Sequence, residues 1–254
     1  MAEIISIGTA VPEYCHRQKD IFEFMSSAYR LDETEKRKLK FLYGQSAIDT
    51  RYSVVADYSL PKEQWVFLPQ SANEDFPSLE KRMEFFNKEA LPLCLKSIAH
   101  CIEGFIESNE VTHLITVSCT GMSAPGIDLE ICECLQLRAD IFRTSVNFMG
   151  CYAAIHALKL AKYICDTTPS SNVLIVDVEL CTLHFQKDYT ADNAGSSLLF
   201  GDGAATVLVS NYIKTNKSIS IDGFYGEVAF KRKKDMAWQL SSKGFLMTLS
   251  GYVP

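Results

Sequence analysis

Residues 146–164, VNFMGCYAAIHALKLAKYI, put a cysteine where an apolar, strand-like run meets an Ala-rich helical pattern. Cys151 follows Gly150 at that junction. A cysteine on the first turn of a helix meets unpaired backbone N–H groups and the positive end of the helix dipole, which favour thiolate over thiol. A thiolate so placed is a nucleophile for acyl transfer. The same residue, flanked by Met149, Tyr152 and Ala153, also reads as a small buried hydrophobe. Cys119 and Cys181 follow the apolar runs 111–118 and 173–180. With Cys151 they fall at the carboxyl ends of predicted strands, where open α/β sheets collect their ligands.

The elements that must position these cysteines alternate. Residues 111–118, 141–149, 173–180 and 204–210 are β-like, and 127–137 and 151–165 are helical by the spacing of their apolar residues. Such alternation predicts a buried, largely parallel sheet with crossover helices. Upstream, 4–8 reads as an opening strand, 17–29 and 33–43 as amphipathic helices, and 49–55 as extended chain. Residues 57–73, with Pro61, Pro69 and polar neighbours, read as a long surface loop. A long helix is predicted over 79–107, kinked or restarted at Pro92. Gly201 and Gly203 read as a tight turn that lets backbone pass close to a site, because the segment lacks the rest of a phosphate loop or dinucleotide fingerprint. Phe200, just before them, is core or an aromatic wall of a cleft.

Composition narrows the function. A chain of 254 residues, 47% apolar and 22% charged, is long enough for one large or two small globular domains. A formal net charge of −6 argues against a nucleic-acid partner. The short basic clusters at 36–40 and 231–234 read as solvated faces. The nine cysteines have no metal-ligand pairing, so they predict reduced thiols, a cytoplasmic location and no metal site. No run approaches the roughly 20 apolar residues of a membrane span, and the first residues lack a signal-peptide pattern.

Taken in order, VTHLITVSCTGMSAPGIDLEICECLQL, VNFMGCYAAIHALKLAKYI, NVLIVDVEL and LLFGDGAA resemble the N-terminal part of type III polyketide synthases, the chalcone and stilbene synthase-like branch of the thiolase superfamily. The likeness runs from IISIGTAVP at 4–12 to GFLMTLSGYVP at 244–254. It implies a thiolase-like layered α/β fold (αβαβα), with the N-terminal half and the linking region in residues 1–254 and the C-terminal domain absent from the chain. The activity implied is loading of an acyl-CoA starter on a cysteine and its extension by decarboxylative condensation with malonyl-CoA. The synthase is then a homodimer with no permanently bound cofactor, its CoA thioesters being substrates.

On this resemblance Cys151 is the nucleophile and Phe200 the gatekeeper that orients malonyl-CoA. Cys119, Thr120, Cys181, His184 and Met247 line the starter and elongation cavity. Ala124 is the residue inserted into the partner subunit's cavity, where many plant members carry methionine. Of three basic residues that hold CoA phosphates in plant members, only Lys38 has a match, the other two positions being Phe41 and Gln45. An acyl carrier protein is therefore an alternative donor. The family's catalytic histidine and asparagine lie in a region that begins about where the chain stops, with Pro254 at a helix start. One oxyanion donor alone is worth about 10² to 10³ in rate, so the chain by itself is expected to be inactive. The alternatives are a non-catalytic thiolase-fold partner subunit and a carrier protein-dependent ketosynthase.

Overall fold

A computed structural model describes residues 1–71 and 74–249. The anticipated helix start at Pro254 lies outside them. In chain order the elements are β1 (Glu3–Ala10), β2 (Tyr14–Arg17), α1 (Gln18–Ala28), α2 (Glu33–Gln45), β3 (Thr50–Ser53), α3 (Leu79–Ile102), β4 (His113–Ser118), α4 (Ile127–Cys134), β5 (Phe142–Asn147), α5 (Tyr152–Thr167), β6 (Asn172–Leu180), α6 (Ala191–Leu199), β7 (Asp202–Ser210), β8 (Ile219–Ser220), β9 (Met236–Ser241) and β10 (Gly244–Leu249). Contacts divide the chain into two units. One holds Met1–Val11, Asn87–Glu179 and Gly203–Val228, the other Pro12–Phe86, Leu180–Asp202 and Ala229–Pro254.

The first unit is built on a six-stranded sheet of order β5-β4-β6-β7-β1-β8. β5, β4 and β6 run parallel, as the strand-helix alternation predicts, with Ile115 opposite Thr144 and Ile175. The other half differs from the expected parallel sheet, because β1 pairs antiparallel with both β7 and β8. Only strands joined by crossover helices must be parallel, and β1 has no such link to its partners. Ala153, Ala157, Ala161 and Cys165 recur every four residues on α5 and are buried against Ile115, Val117, Val173, Ile175 and Val209. α3 lies against the opposite face, where Ser97 Oγ and Thr206 Oγ1 are 2.7 Å apart and Ser6 Oγ donates to Cys101 O at 2.6 Å. α3 continues through Pro92 and stops at Ile102, short of the predicted 107. Gly104 behind it has φ +78°, a left-handed residue that ends the helix.

The second unit holds α1, α2, the β2–β3 and β9–β10 pairs and α6. Asp32 starts α2 as a capping box, accepting from the N–H groups of Thr34 and Glu35 at 2.9 and 2.8 Å. Thr190 caps α6 by accepting from Asn193 N–H at 3.1 Å. The 57–73 segment, whose residues 72–73 lie outside the described ones, is only in part the surface loop the sequence predicts, with 59–64, 66, 70 and 71 exposed. Asp57, Tyr58, Phe67 and Leu68 are buried, and the Asp57 carboxylate accepts the N–H groups of Val66, Phe67 and Leu68 at 2.8–3.1 Å. One carboxylate replaces the hydrogen bonds that regular structure would supply, a device that apolar periodicity does not reveal.

Candidate active site

Three residues turn the chain from β5 into α5, and two of them are left-handed, Phe148 at φ +57° and Gly150 at φ +64°. A phenylalanine there is unusual backbone for a residue with a Cβ. The turn leaves Cys151 as the N-cap of the 16-residue α5, its side chain making no capping hydrogen bond. Cys151 is an exposed free thiol. The buried-hydrophobe reading describes Cys94, Cys101 and Cys165 instead. Burial pushes the Cys94 thiol up to about 12 and that of Cys165 to about 11, which keeps both protonated.

Cys119 and Thr120 follow β4 in the same unit and share one partner, Glu179 on β6. The Cys119 N–H donates to Glu179 Oε1 at 2.8 Å, and the Thr120 hydroxyl to Oε2 at 2.5 Å. Burial pushes the Glu179 carboxyl up to about 7, against the Thr120 hydroxyl and helped by Asp177. Burial likewise raises Asp177 to about 6. Both acids escaped the sequence reading; their only signal is two carboxylates at i and i+2 within the apolar run NVLIVDVEL. Because Glu179 lies above its ordinary value of 4.5, its contribution to stability is fully present below about 4.5 and is lost as pH rises through about 7. Glu179→Gln is expected to shrink the stability lost between pH 5 and pH 8 by up to about 3 kcal/mol, read from urea midpoints at both pH values. Equal losses in variant and parent would show that this carboxyl titrates at its ordinary pH. Ala124 is exposed on the segment between β4 and α4.

Cys181, His184, Phe200 and Met247 come together in the second unit around one cavity, with about 600 Å³ of empty space partly open to solvent. His184 is buried and stacks on Phe245 at 4.3 Å between ring centroids. Its Nδ1 accepts the Phe245 N–H at 3.1 Å, which leaves the ring proton on Nε2. Phe200 ends α6 in extended conformation. Asp202, two residues on, is buried and accepts from Val54 N–H at 2.8 Å, Thr182 N–H at 2.9 Å and the Thr182 hydroxyl at 2.6 Å. Burial pushes its carboxyl up to about 6. The expected tight turn at Gly201 and Gly203 is absent, neither residue being left-handed. The close approach is present at Gly201, where a Cβ would come within 3.2 Å of the Tyr52 carbonyl oxygen. Arg51 also lines this cavity and was not singled out by sequence.

Lys38 is exposed on α2, as are Phe41 and Gln45. Cys119, Thr120, Ala124 and Cys151 thus belong to the first unit, and Lys38, Cys181, His184, Phe200 and Met247 to the second. Among the described residues no group of three or more His, Cys, Asp or Glu side chains could hold a metal ion, and no helix is long and apolar enough to cross a membrane.

A family model described as chalcone and stilbene synthases, N-terminal domain, matches residues 1–212. Type III polyketide synthase A of Arabidopsis thaliana is 32% identical over 213 residues, covering 82% of this chain and 52% of that protein. Probable polyketide synthase 1 of Dictyostelium discoideum is 25% identical over 257 residues, covering 99% of this chain and 8% of that protein. The chain spans about half the length of the Arabidopsis relative and a small part of the Dictyostelium one. Among solved structures, the C-terminal type III polyketide synthase domain of Steely1, a type I/III hybrid from Dictyostelium, superposes with a TM-score of 0.88 at 23% identity, over 100% of this chain and 69% of that one. PKS-I from the brown alga Ectocarpus siliculosus does so with a TM-score of 0.83 at 23% identity, over 100% and 68%. The fold is the thiolase-like α/β fold of these structures, over their N-terminal part.

Proposed function

Since the chain belongs to the chalcone and stilbene synthase family, we propose that it carries the acyl-loading cysteine and the acyl cavity of a type III polyketide synthase. The observation that carries this reading is Cys151, an exposed thiol at the N-cap of α5, directly behind a strained turn at the carboxyl end of β5. Its thiolate attacks the thioester carbonyl of an acyl-CoA, the bond to the CoA sulfur breaks, and CoA leaves as a thiolate that takes up a proton. Malonyl-CoA then loses CO₂, and the electron pair of the broken C–C bond becomes an enolate that attacks the acyl carbonyl and expels the Cys151 sulfur. Phe200 takes the role of orienting the malonyl unit, and Cys181, His184 and Met247 bound the cavity that receives the acyl chain. Cys119 and Thr120 take the family's acyl-lining role, and Lys38 holds a CoA phosphate. No permanently bound cofactor takes part, and the protein acts in the cytoplasm.

The active species in this reading is a homodimer. Its support is β5, the edge strand of the sheet, with Phe142 exposed on it and Met149 and Tyr152 exposed just after it. An unpaired strand edge with apolar side chains is a template for a second chain. A carrier-borne acyl donor is the second reading, favoured by Phe41, which is 66% exposed where plant members carry a basic residue.

The test is the intact mass of the protein before and after incubation with octanoyl-CoA. A hydroxylamine-labile octanoyl adduct that maps to Cys151 is expected; an adduct confined to other cysteines, or none, overturns the assignment. Ala124→Met is expected to shift the preferred starter to a shorter chain, read as competition between hexanoyl- and palmitoyl-CoA for the cysteine. An unchanged ratio would remove Ala124 from the cavity.

A further inference from the structure

Arg51, on the wall of the second unit's cavity, is a buried cation whose terminal donors are left without hydrogen bonds among the described residues. It sits on β3 and is 6% exposed, and neither Nη1 nor Nη2 has a hydrogen-bond partner among the described residues. Burying a charged group with its donors unpaired is costly, and proteins retain such a group only where something compensates it. Asp202 attracts the guanidinium but makes no hydrogen bond to its Nη atoms, its carboxylate oxygens accepting bonds from Val54 and Thr182. The Tyr43 hydroxyl is a second buried polar group without a hydrogen-bond partner among the described residues. The unpaired guanidinium thus belongs to the wall of a cavity whose other lining includes Phe200, Trp238 and Phe245. An aromatic wall and a guanidinium fork together suit an organic acid, its apolar body on the rings and its carboxylate on the fork.

We propose that Arg51 is an anion-recognition element of this cavity, binding the carboxylate of an acyl compound whose body occupies the aromatic part. The inference rests on the reading of this cavity as the acyl pocket and narrows its ligand class to chains that carry a carboxylate away from the point of attachment, such as the half-thioester of a dicarboxylic acid. The side chain has the means to present its fork. Gly201 lies against the Arg51 stem, where a Cβ would sit 3.4 Å from Cδ, in van der Waals contact. The guanidinium stays charged at neutral pH, since burial lowers it only to about 10.

Equilibrium binding of octanoate and of octanamide, measured by titration calorimetry at pH 7.5, tests this without requiring any reaction at Cys151. Octanoate is expected to bind 10- to 100-fold more tightly than octanamide, the range of a charge-assisted hydrogen bond. Arg51→Met is expected to abolish that preference while leaving octanamide affinity within twofold, and Arg51→Lys to keep part of it. Equal affinities for acid and amide in the parent protein overturn the proposal, and this comparison holds even if a variant fails to fold. A loss of both ligands together in Arg51→Met would make Arg51 a structural residue only. Suberyl-CoA, with a free terminal carboxylate, should also load Cys151 in preference to octanoyl-CoA. Loading of both at equal rates would sink the inference while leaving the acyl-loading reading intact, whereas a carboxylate preference in calorimetry with no adduct at Cys151 would do the reverse.

Discussion

Cys151→Ala is expected to eliminate covalent acyl loading, with the fold and the oligomeric state unchanged. The size of the effect follows from chemistry that the buried thiols cannot supply. Cys94, Cys101 and Cys165 are buried, with their thiols pushed up in pH by desolvation, so none offers a thiolate near neutrality. A serine at 151 would not rescue the reaction, because a hydroxyl without an adjacent base is a far weaker nucleophile than a thiolate. Stability should move by less than about 0.5 kcal/mol, since Cys151 is exposed and its side chain caps nothing. Intact mass after incubation with octanoyl-CoA, thermal melting and size-exclusion chromatography read the three claims separately. An acyl adduct that survives in Cys151→Ala would move the nucleophile elsewhere, and a change in oligomeric state would make Cys151 structural.

Gly8→Ala is expected to cost about 3 kcal/mol or more of folding stability, or to prevent folding. A Cβ at Gly8 would lie 2.2 Å from Ser97 O, 2.5 Å from Cys101 N and 2.9 Å from Cys101 Cα. All three are backbone atoms of α3, so no side chain can turn aside and the whole helix must lift from the sheet. Lifting it would also break the Ser6–Cys101 and Ser97–Thr206 contacts. Gly44→Ala is the control. It lies in α2 with nothing within 4 Å of the place a methyl group would take, and alanine should stabilise a helix there by about 0.5–1 kcal/mol. Urea denaturation of both variants decides the matter: equal midpoints would mean that α3 does not rest on β1 as described.

Those two glycines show where sequence reading stops. Gly8 and Gly44 are the same residue in apolar-periodic segments, and nothing near either in the chain separates them. The difference is Ser97 and Cys101, about ninety residues away from Gly8. The sheet divides the same way. Alternating runs announced β4, α4, β5, α5 and β6 and their parallel pairing, whereas the antiparallel placement of β1 against β7 and β8 involves partners far apart in sequence. At the site, Cys151 was legible because its setting is local, a strand end, a glycine and a helix start within residues 147–152. Glu179 and Arg51 were not. An acid in a strand and an arginine beside a tyrosine are ordinary as letters, and only burial pushes one up to about 7 and leaves the terminal donors of the other unpaired.

Sequence by itself determined the order and type of the central elements, the position of the candidate nucleophile and the family. Those rest on hydrogen bonds and side-chain periodicities spanning a few residues, and on motifs in a set order. Tertiary structure alone decided which segments wall the cavity, from His16 to Met247, and which polar groups lose their water there. Desolvation depends on every chain segment that closes around a group, and those segments are neighbours only after folding.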